Sequence, residues 1–155
     1  MVAALPMTFR AVVRAALREV LRRVDLGDPR LLMLLTAPNV RFVFPGHSSW
    51  AADTNDRADL ERWVRRTAAV GITHSGHEIL IAGPPWRLAV CMRISDSCTD
   101  VAGHVVYDNV GVILAWMRWG RLVRFETHLD TEKVARLDDY LAGGSPSAAT
   151  PEVEP

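Results

Sequence analysis

The hydrophobic residues change their spacing at Gly71, and this change constrains the fold more than any other feature of the sequence. Before Gly71, apolar residues recur every three or four positions, as they do in amphipathic helices. After Gly71 they follow a period of two, which is typical of β-strands. This order predicts an α+β fold in which N-terminal helices close a curved antiparallel sheet that forms a cone.

Three helices are predicted before the main run of strands and one after it. The first covers residues 8–25 and ends at Gly27, because glycine readily adopts the left-handed conformation that stops a helix. The next two are predicted at 30–36 and 57–69. The last begins at an Asp130-Thr131 cap and runs to Leu141.

The predicted strands are joined by short turns. One strand precedes the third helix, and four follow it: 40–44, then 72–82, 87–95, 105–119 and 122–129. Short turns between long strands favour an antiparallel meander for the last four.

The strand at 105–119 is apolar on both of its faces. One face carries Val106, Val110, Val112, Leu114 and Trp116, and the other carries Tyr107, Asn109, Gly111, Ile113, Ala115 and Met117. A strand with one solvated side should alternate apolar and polar residues. We therefore expect one face to pack against the helices and the other to meet a second subunit, which predicts a homodimer.

Composition sets the class of protein. The 155 residues are expected to form one domain over 1–142, followed by a disordered tail at 143–155 that is rich in Gly, Pro, Ser, Ala and Glu. Basic and acidic residues number 18 each, so no nucleic-acid partner is expected. No segment is apolar for long enough to span a membrane, so we expect a cytoplasmic protein with no membrane partner. Arginines repeat every four positions along the first helix, and we interpret them as a solvated face: Arg10, Arg14, Arg18 and Arg22.

Several short motifs resemble those of one superfamily. They are Phe44-Pro45-Gly46 after the first strand, Gly83-Pro84-Pro85-Trp86 at a hairpin, and the run from Met117 to Arg121 that leads into Glu126-Thr127. With the order of elements, they resemble the SnoaL-like branch of the nuclear transport factor 2-like superfamily over about residues 8–141. The resemblance implies a cone-shaped fold and frequent dimerisation. It also implies one of several functions, because members are isomerases, cyclases, epoxide hydrolases or simple ligand-binding proteins.

Two mechanisms known in that superfamily lack their acidic residues here. The ketosteroid isomerase base corresponds to Phe44, and the oxyanion donor corresponds to Val20. Neither side chain can exchange a proton or donate a hydrogen bond. The epoxide hydrolase pattern retains Arg93, but Ser95 and Thr127 stand where its two carboxylates belong. A cyclase-like mechanism needs only one acid/base residue in an apolar pocket, so it stays open.

The remaining polar residues supply the candidate site. His74 is the expected proton carrier, because histidine titrates near neutral pH. Tyr107 and Asn109 share a strand face, and we expect them to donate hydrogen bonds to a ligand. His74 and His77 point to opposite faces of a strand, so no metal site is expected unless the strand bulges at Gly76. The predicted ligand contacts are Phe42, Phe44, Trp50, Arg93, Phe125 and Thr127.

The function expected from these residues is acid/base catalysis on a small apolar, oxygenated molecule, without a cofactor. The alternative is a non-catalytic module of the same fold that binds a small molecule or dimerises.

Overall fold

The computed structural model describes residues 7–143, and the tail predicted at 143–155 lies outside this range from residue 144 onward. Four helices and six strands follow one another along the chain. They are α1 (Met7–Asp25), α2 (Arg30–Leu35), β1 (Thr36–Phe44), β2 (Ala52–Thr54), α3 (Arg57–Val70), β3 (Thr73–Ala82), β4 (Arg87–Thr99), β5 (Val105–Arg118), β6 (Arg121–Leu129) and α4 (Thr131–Leu141). No helix of the described range combines the length and hydropathy needed to cross a bilayer.

The six strands form one mixed sheet in the order β2-β1-β6-β5-β4-β3. The last four strands form the predicted antiparallel meander. β1 pairs with β6 in parallel, which brings Phe42 beside Phe125. The sheet is curled and unclosed, and the predicted α+β class is confirmed.

The predicted boundaries are wrong at three strands. Residues 37–39 were expected to precede β1, but the strand begins at Thr36 and shifts its register between Thr36 and Arg41. Pro38 therefore lies at an irregularity of β1 rather than before the strand, as strand prolines often do. β2, which pairs with the end of β1, was predicted as loop. β4 continues to Thr99, four residues beyond its predicted end.

The two faces of β5 differ in how deeply they are buried. Tyr107, Asn109, Ile113 and Ala115 are buried on the concave side of the sheet. Val110 on the other side is 50% exposed, and its neighbours on that side are partly covered. α1 packs against β3 and α3 packs against β1, so the helices cover the concave side. Apolar residues from the helices and from the sheet thus enclose one core.

An aromatic cluster joins α3 to β1. Trp63 lies with its ring centroid 5.5 Å from Phe42, 5.3 Å from Phe44 and 6.1 Å from Trp50. Such edge-to-face and tilted pairs add to the free energy gained from burying the rings. The Trp63 indole nitrogen also donates to the Trp50 carbonyl oxygen at 3.1 Å. These contacts place Trp63 at the wall of the interior.

Gly111 provides a test of the packing between β5 and β6. A Cβ at this position would lie 2.1 Å from the His128 carbonyl oxygen, so Gly111→Ala must displace backbone. We expect a loss of about 2–3 kcal/mol of unfolding free energy, as for overpacked cores. Gly103→Ala is the matched control, because nothing lies within 4 Å of its Cβ and only its φ of 86° opposes the change. Equal midpoints of thermal unfolding for the two variants would contradict this account.

Candidate functional site

An interior cavity of about 100 Å³ lies between the helices and the concave side of the sheet. Its walls come from α1, α2 and α3 on one side and from β3 to β6 on the other. Most of the lining is aliphatic or aromatic, and the polar side chains are few. Those polar residues are Thr67, His74, Asp96 and Thr127.

Asp25 and His74 form a close pair at one end of this cavity. The Asp25 carboxylate accepts from the His74 backbone N–H at 3.1 Å and lies 2.6 Å from the imidazole Nδ1. A carboxylate at the C-terminus of α1 is unfavourable against the helix dipole, so the partner on β3 offsets that effect. Because Nδ1 faces the carboxylate, Nε2 is the ring nitrogen available for proton exchange.

The pKa of His74 is raised above its ordinary value. Burial alone would lower it, because the side chain is only 8% exposed and the charged ring loses solvation. The hydrogen bond to Asp25 and the negative charges of Asp96 and Asp25 outweigh burial. The interactions with Asp25 and Asp96 therefore favour the protonated, charged form of the ring.

Asp96 is a buried carboxylate beside this pair. It is 5% exposed, and burial raises its pKa to about 6 against a partial opposing effect of the His74 charge. Its Oδ1 has no hydrogen-bond partner among the described residues. A buried carboxylate oxygen without a partner is unusual in a folded protein and is typical of functional sites.

Thr127 is a further polar residue of the cavity lining, and the register places it level with Ile113 and Met92 rather than with Asp96. Thr127 is 2% exposed, and its hydroxyl oxygen also has no hydrogen-bond partner within residues 7–143. Phe125, two residues earlier on the same face of β6, lines the apolar part. The prediction that Phe125 and Thr127 face the pocket agrees with this placement. The cavity is therefore an apolar space with hydrogen-bonding groups at His74 and Asp96 and, further along the sheet, at Thr127.

A second, smaller chamber of about 20 Å³ adjoins the cavity. Four residues line both spaces: Trp63, Thr67, His74 and Asp96. Phe44, Trp50 and Tyr107 line only the smaller one. These three residues, which were expected to contact a ligand directly, lie one layer behind the main cavity. Burial raises the pKa of Tyr107, so its hydroxyl stays protonated.

Asn109 lies away from both spaces. Its amide nitrogen donates to the Tyr107 hydroxyl at 3.1 Å and to the Asp130 carbonyl oxygen at 3.0 Å, and its Oδ1 accepts from the Asp130 backbone N–H at 3.2 Å. This set of bonds joins β5 to the start of α4. The prediction that Asn109 donates to a ligand is therefore corrected, because both ends of its amide have partners within the fold.

Two other predicted contacts also lie away from the cavity. Arg93 is exposed, because it sits at the position of β4 that points to the convex side of the sheet. Phe42 is fully buried and packs behind the lining, with its ring centroid 5.9 Å from that of Phe125. His77 is exposed and its Nε2 lies 2.7 Å from the Ser95 hydroxyl, so it takes no part in the cavity.

Sequence interpretation missed two acidic residues for identifiable reasons. Asp96 continues the inward alternation of Val90, Met92 and Ile94, but β4 was expected to end at Ser95. The fully periodic strand would have placed Asp96 inside. Asp25 could have been found as a carboxylate at the wrong end of a helix, where it needs a partner.

No cluster of three or more His, Cys, Asp or Glu side chains suited to a metal ion occurs within the described range.

Comparison with known proteins reveals the fold alone. No protein-family model matches the chain, and no curated protein matches it. A nuclear transport factor 2-like protein of unknown function from Burkholderia pseudomallei superposes with a TM-score of 0.63 at 21% identity, covering 81% of this chain and 95% of that one. IdmH from Streptomyces antibioticus, a proposed polyketide cyclase, gives a TM-score of 0.60 at 18% identity over 77% and 93%.

TerC, co-crystallised with polyporic acid, gives a TM-score of 0.62 at 19% identity, covering 81% of this chain and 96% of that one. The chain therefore has the nuclear transport factor 2-like fold, as its motifs predicted. Identities this low carry no information about the reaction.

The raised pKa of Asp96 makes a prediction for stability against pH. The unfolded chain releases this proton near 3.8 and the folded protein near 6, so the folded state binds more protons between these values. Ionising Asp96 therefore costs stability as pH rises through this window. Asp96→Asn removes that loss, and its unfolding free energy should exceed that of the wild type by about 2 kcal/mol more at pH 7 than at pH 4.

Denaturant titrations at the two pH values measure the difference. Asp139→Asn, an exposed carboxylate on α4, is the matched control and should change far less. The account fails if both variants follow the wild type equally across this range.

Proposed function

We propose that this protein binds a small apolar molecule that carries oxygen, and acts on it by general acid/base catalysis through His74 and Asp96. The observation that supports this most directly is the position of the unpartnered buried oxygens. Asp96 Oδ1 and Thr127 Oγ1 both belong to residues that line the apolar cavity. A ligand oxygen at Asp96 would satisfy that carboxylate beside the His74–Asp25 pair, and a second ligand oxygen at Thr127 would satisfy its hydroxyl.

Each residue has a distinct role in this proposal. Asp96, with its pKa raised to about 6, can donate or accept a proton near neutral pH. His74 carries the second proton, and Asp25 is the positioning residue that orients its ring. Thr127 donates a hydrogen bond to a second oxygen of the ligand. The aliphatic lining excludes water and favours substrates such as polyketide-like, terpenoid or steroid-like compounds.

The names of two structural neighbours agree with an apolar, oxygenated ligand. IdmH is a proposed polyketide cyclase, and TerC was crystallised with polyporic acid. A cyclisation or isomerisation needs only proton transfers within an apolar cavity, which the residues above could supply without a cofactor.

A thermal-shift screen against polyketide-like, terpenoid, steroid-like and acyl compounds would identify the ligand class, since a ligand at about 100 times its dissociation constant adds about 2.7 kcal/mol. Turnover of the best class should then fall at least about a hundredfold in His74→Gln and Asp96→Asn. His77→Gln is the matched control, since that histidine is exposed on the same strand. Binding without turnover in the wild type would favour the non-catalytic binding module. A folded protein with no hit would overturn the proposal.

We also propose that the protein forms a homodimer through the convex side of the sheet. Leu80, Cys91 and Leu114 lie in register across three strands on this side, and Leu80 is 68% exposed.

Light scattering should give twice the chain mass for the wild type, and Leu114→Lys should give the monomer mass. Val101→Lys, an exposed residue in the turn after β4, should leave the mass unchanged. A wild-type protein of monomer mass at micromolar concentration would remove the proposal.

A further inference from the structure

Two tryptophans and three arginines form a continuous exposed surface at one end of the sheet, which we call the tip surface. It consists of Trp86, Arg87, Arg118, Trp119 and Arg121. Trp119 is 81% exposed and Trp86 is 54% exposed. All three arginines are exposed as well. Large aromatic residues exposed together in this way are typical of an interaction site.

The backbone brings these residues together. The Trp119 backbone N–H donates to the Trp86 carbonyl oxygen at 3.1 Å, which joins the turn between β3 and β4 to the turn between β5 and β6. Arg87 pairs with Arg118, and Arg118 pairs with Arg121. The three arginines thus stand at the same level on three neighbouring strands, about 5 Å apart from one strand to the next.

This alignment of like charges has no compensation within the described range. Like charges directly opposite each other destabilise a sheet. The segments 83–87 and 117–122 contain no acidic residue. None of the ion pairs formed within residues 7–143 includes Arg87, Arg118 or Arg121. The arrangement is therefore better suited to binding an anionic partner than to stabilising the fold.

Trp119 is also strained. Its φ is 50° and that of Gly120 is 75°, so both residues of the two-residue hairpin turn have the left-handed conformation. Such turns favour Asn-Gly, and a bulky residue at the first position is a backbone outlier. Because most of its indole ring is exposed, Trp119 gains little free energy of burial that would offset this strain. Strain of this kind is common at functional sites.

The cavity lining begins next to the tip surface. Met117 and Leu122 line the cavity, and they directly flank the segment from Arg118 to Arg121. Leu35 lines it too, and the neighbouring Leu34 is 70% exposed and accepts from the Arg121 side chain through its carbonyl oxygen at 3.4 Å. The tip surface thus lies at the end of the cavity opposite the acidic groups.

We propose that the tip surface is a docking site for an anionic lipid bilayer. Tryptophan has an apolar ring and a polar N–H, so it partitions to the level of the lipid headgroups. Arginine pairs with the headgroup phosphates, and a surface with three unpaired arginines is attracted to a negatively charged leaflet. Apolar molecules dissolve in bilayers, so docking at this end brings the cavity close to such a supply.

The tip surface would contact the bilayer from one side. No membrane partner was expected from the sequence because no segment is apolar for long enough to span a bilayer, and surface contact requires no such segment. The inference is independent of the proposed reaction, since the docking residues are separate from His74 and Asp96.

Vesicle sedimentation with the full chain tests the inference. We expect binding to vesicles of phosphatidylcholine with about an equal share of phosphatidylglycerol, weak binding to phosphatidylcholine alone, and release at about 0.5 M salt. Lipids brominated on their acyl chains should quench part of the tryptophan emission. No sedimentation with the anionic vesicles at low salt would overturn the inference.

Two pairs of variants locate the binding surface. Trp119→Asn suits the left-handed turn, so the thermal midpoint should hold or rise while the vesicle partition coefficient falls at least tenfold. Val101→Asn, an exposed residue at the opposite end of β5, is its control and should bind as the wild type does. Unchanged binding by Trp119→Asn would overturn the inference.

The charge contribution is tested by the double variant Arg87→Gln/Arg118→Gln, which should also lose at least tenfold. Arg14→Gln/Arg18→Gln removes the same charge from α1 and should bind within about twofold of the wild type. An equal loss in both double variants would assign binding to net charge or to α1, and would also overturn the inference.

Discussion

The contact between Asp25 and His74 determines how the helices close over the sheet. One carboxylate accepts from both the backbone and the ring of the same residue, so it ties the last turn of α1 to β3. The residues of α1 that line the cavity lie within the two turns before this contact, at Leu17, Val20, Leu21 and Val24. A chain without this contact would still bury those residues, but their position over the sheet would depend on apolar packing, which is not directional.

The burial of His74 and of the neighbouring Asp96 links the structure to its chemistry. Burial lowers the pKa of a histidine and raises that of a carboxylate, so each group alone would be neutral inside the protein. Together they interact, and the charge of His74 partly opposes the shift of Asp96. His74 and Asp96 thus lie together as candidates for proton transfer, in a space that few other polar side chains line.

The sequence predicted the fold better than the site because the two depend on different information. The hydrophobic period and the turn residues predict elements, and even the inward face of β6 at Phe125 and Thr127 followed from them and the resemblance. Site geometry depends on which residues meet across elements. Asp25 and His74 are brought together by the path of α1, and Asn109 finds its partners at the start of α4. No local sequence pattern predicts such contacts between residues that are distant in the chain.

The parallel pairing of β1 with β6 has a consequence for how the chain folds. Phe42 and Phe125 are neighbours in the sheet although about 80 residues separate them, and loop closure of that length slows folding. During synthesis β1 must wait for the last strand before it can join the meander. The meander of β3 to β6 can assemble from sequential hairpins, so the rings of the β1 cluster stay accessible to solvent and to chaperones until the chain is nearly complete.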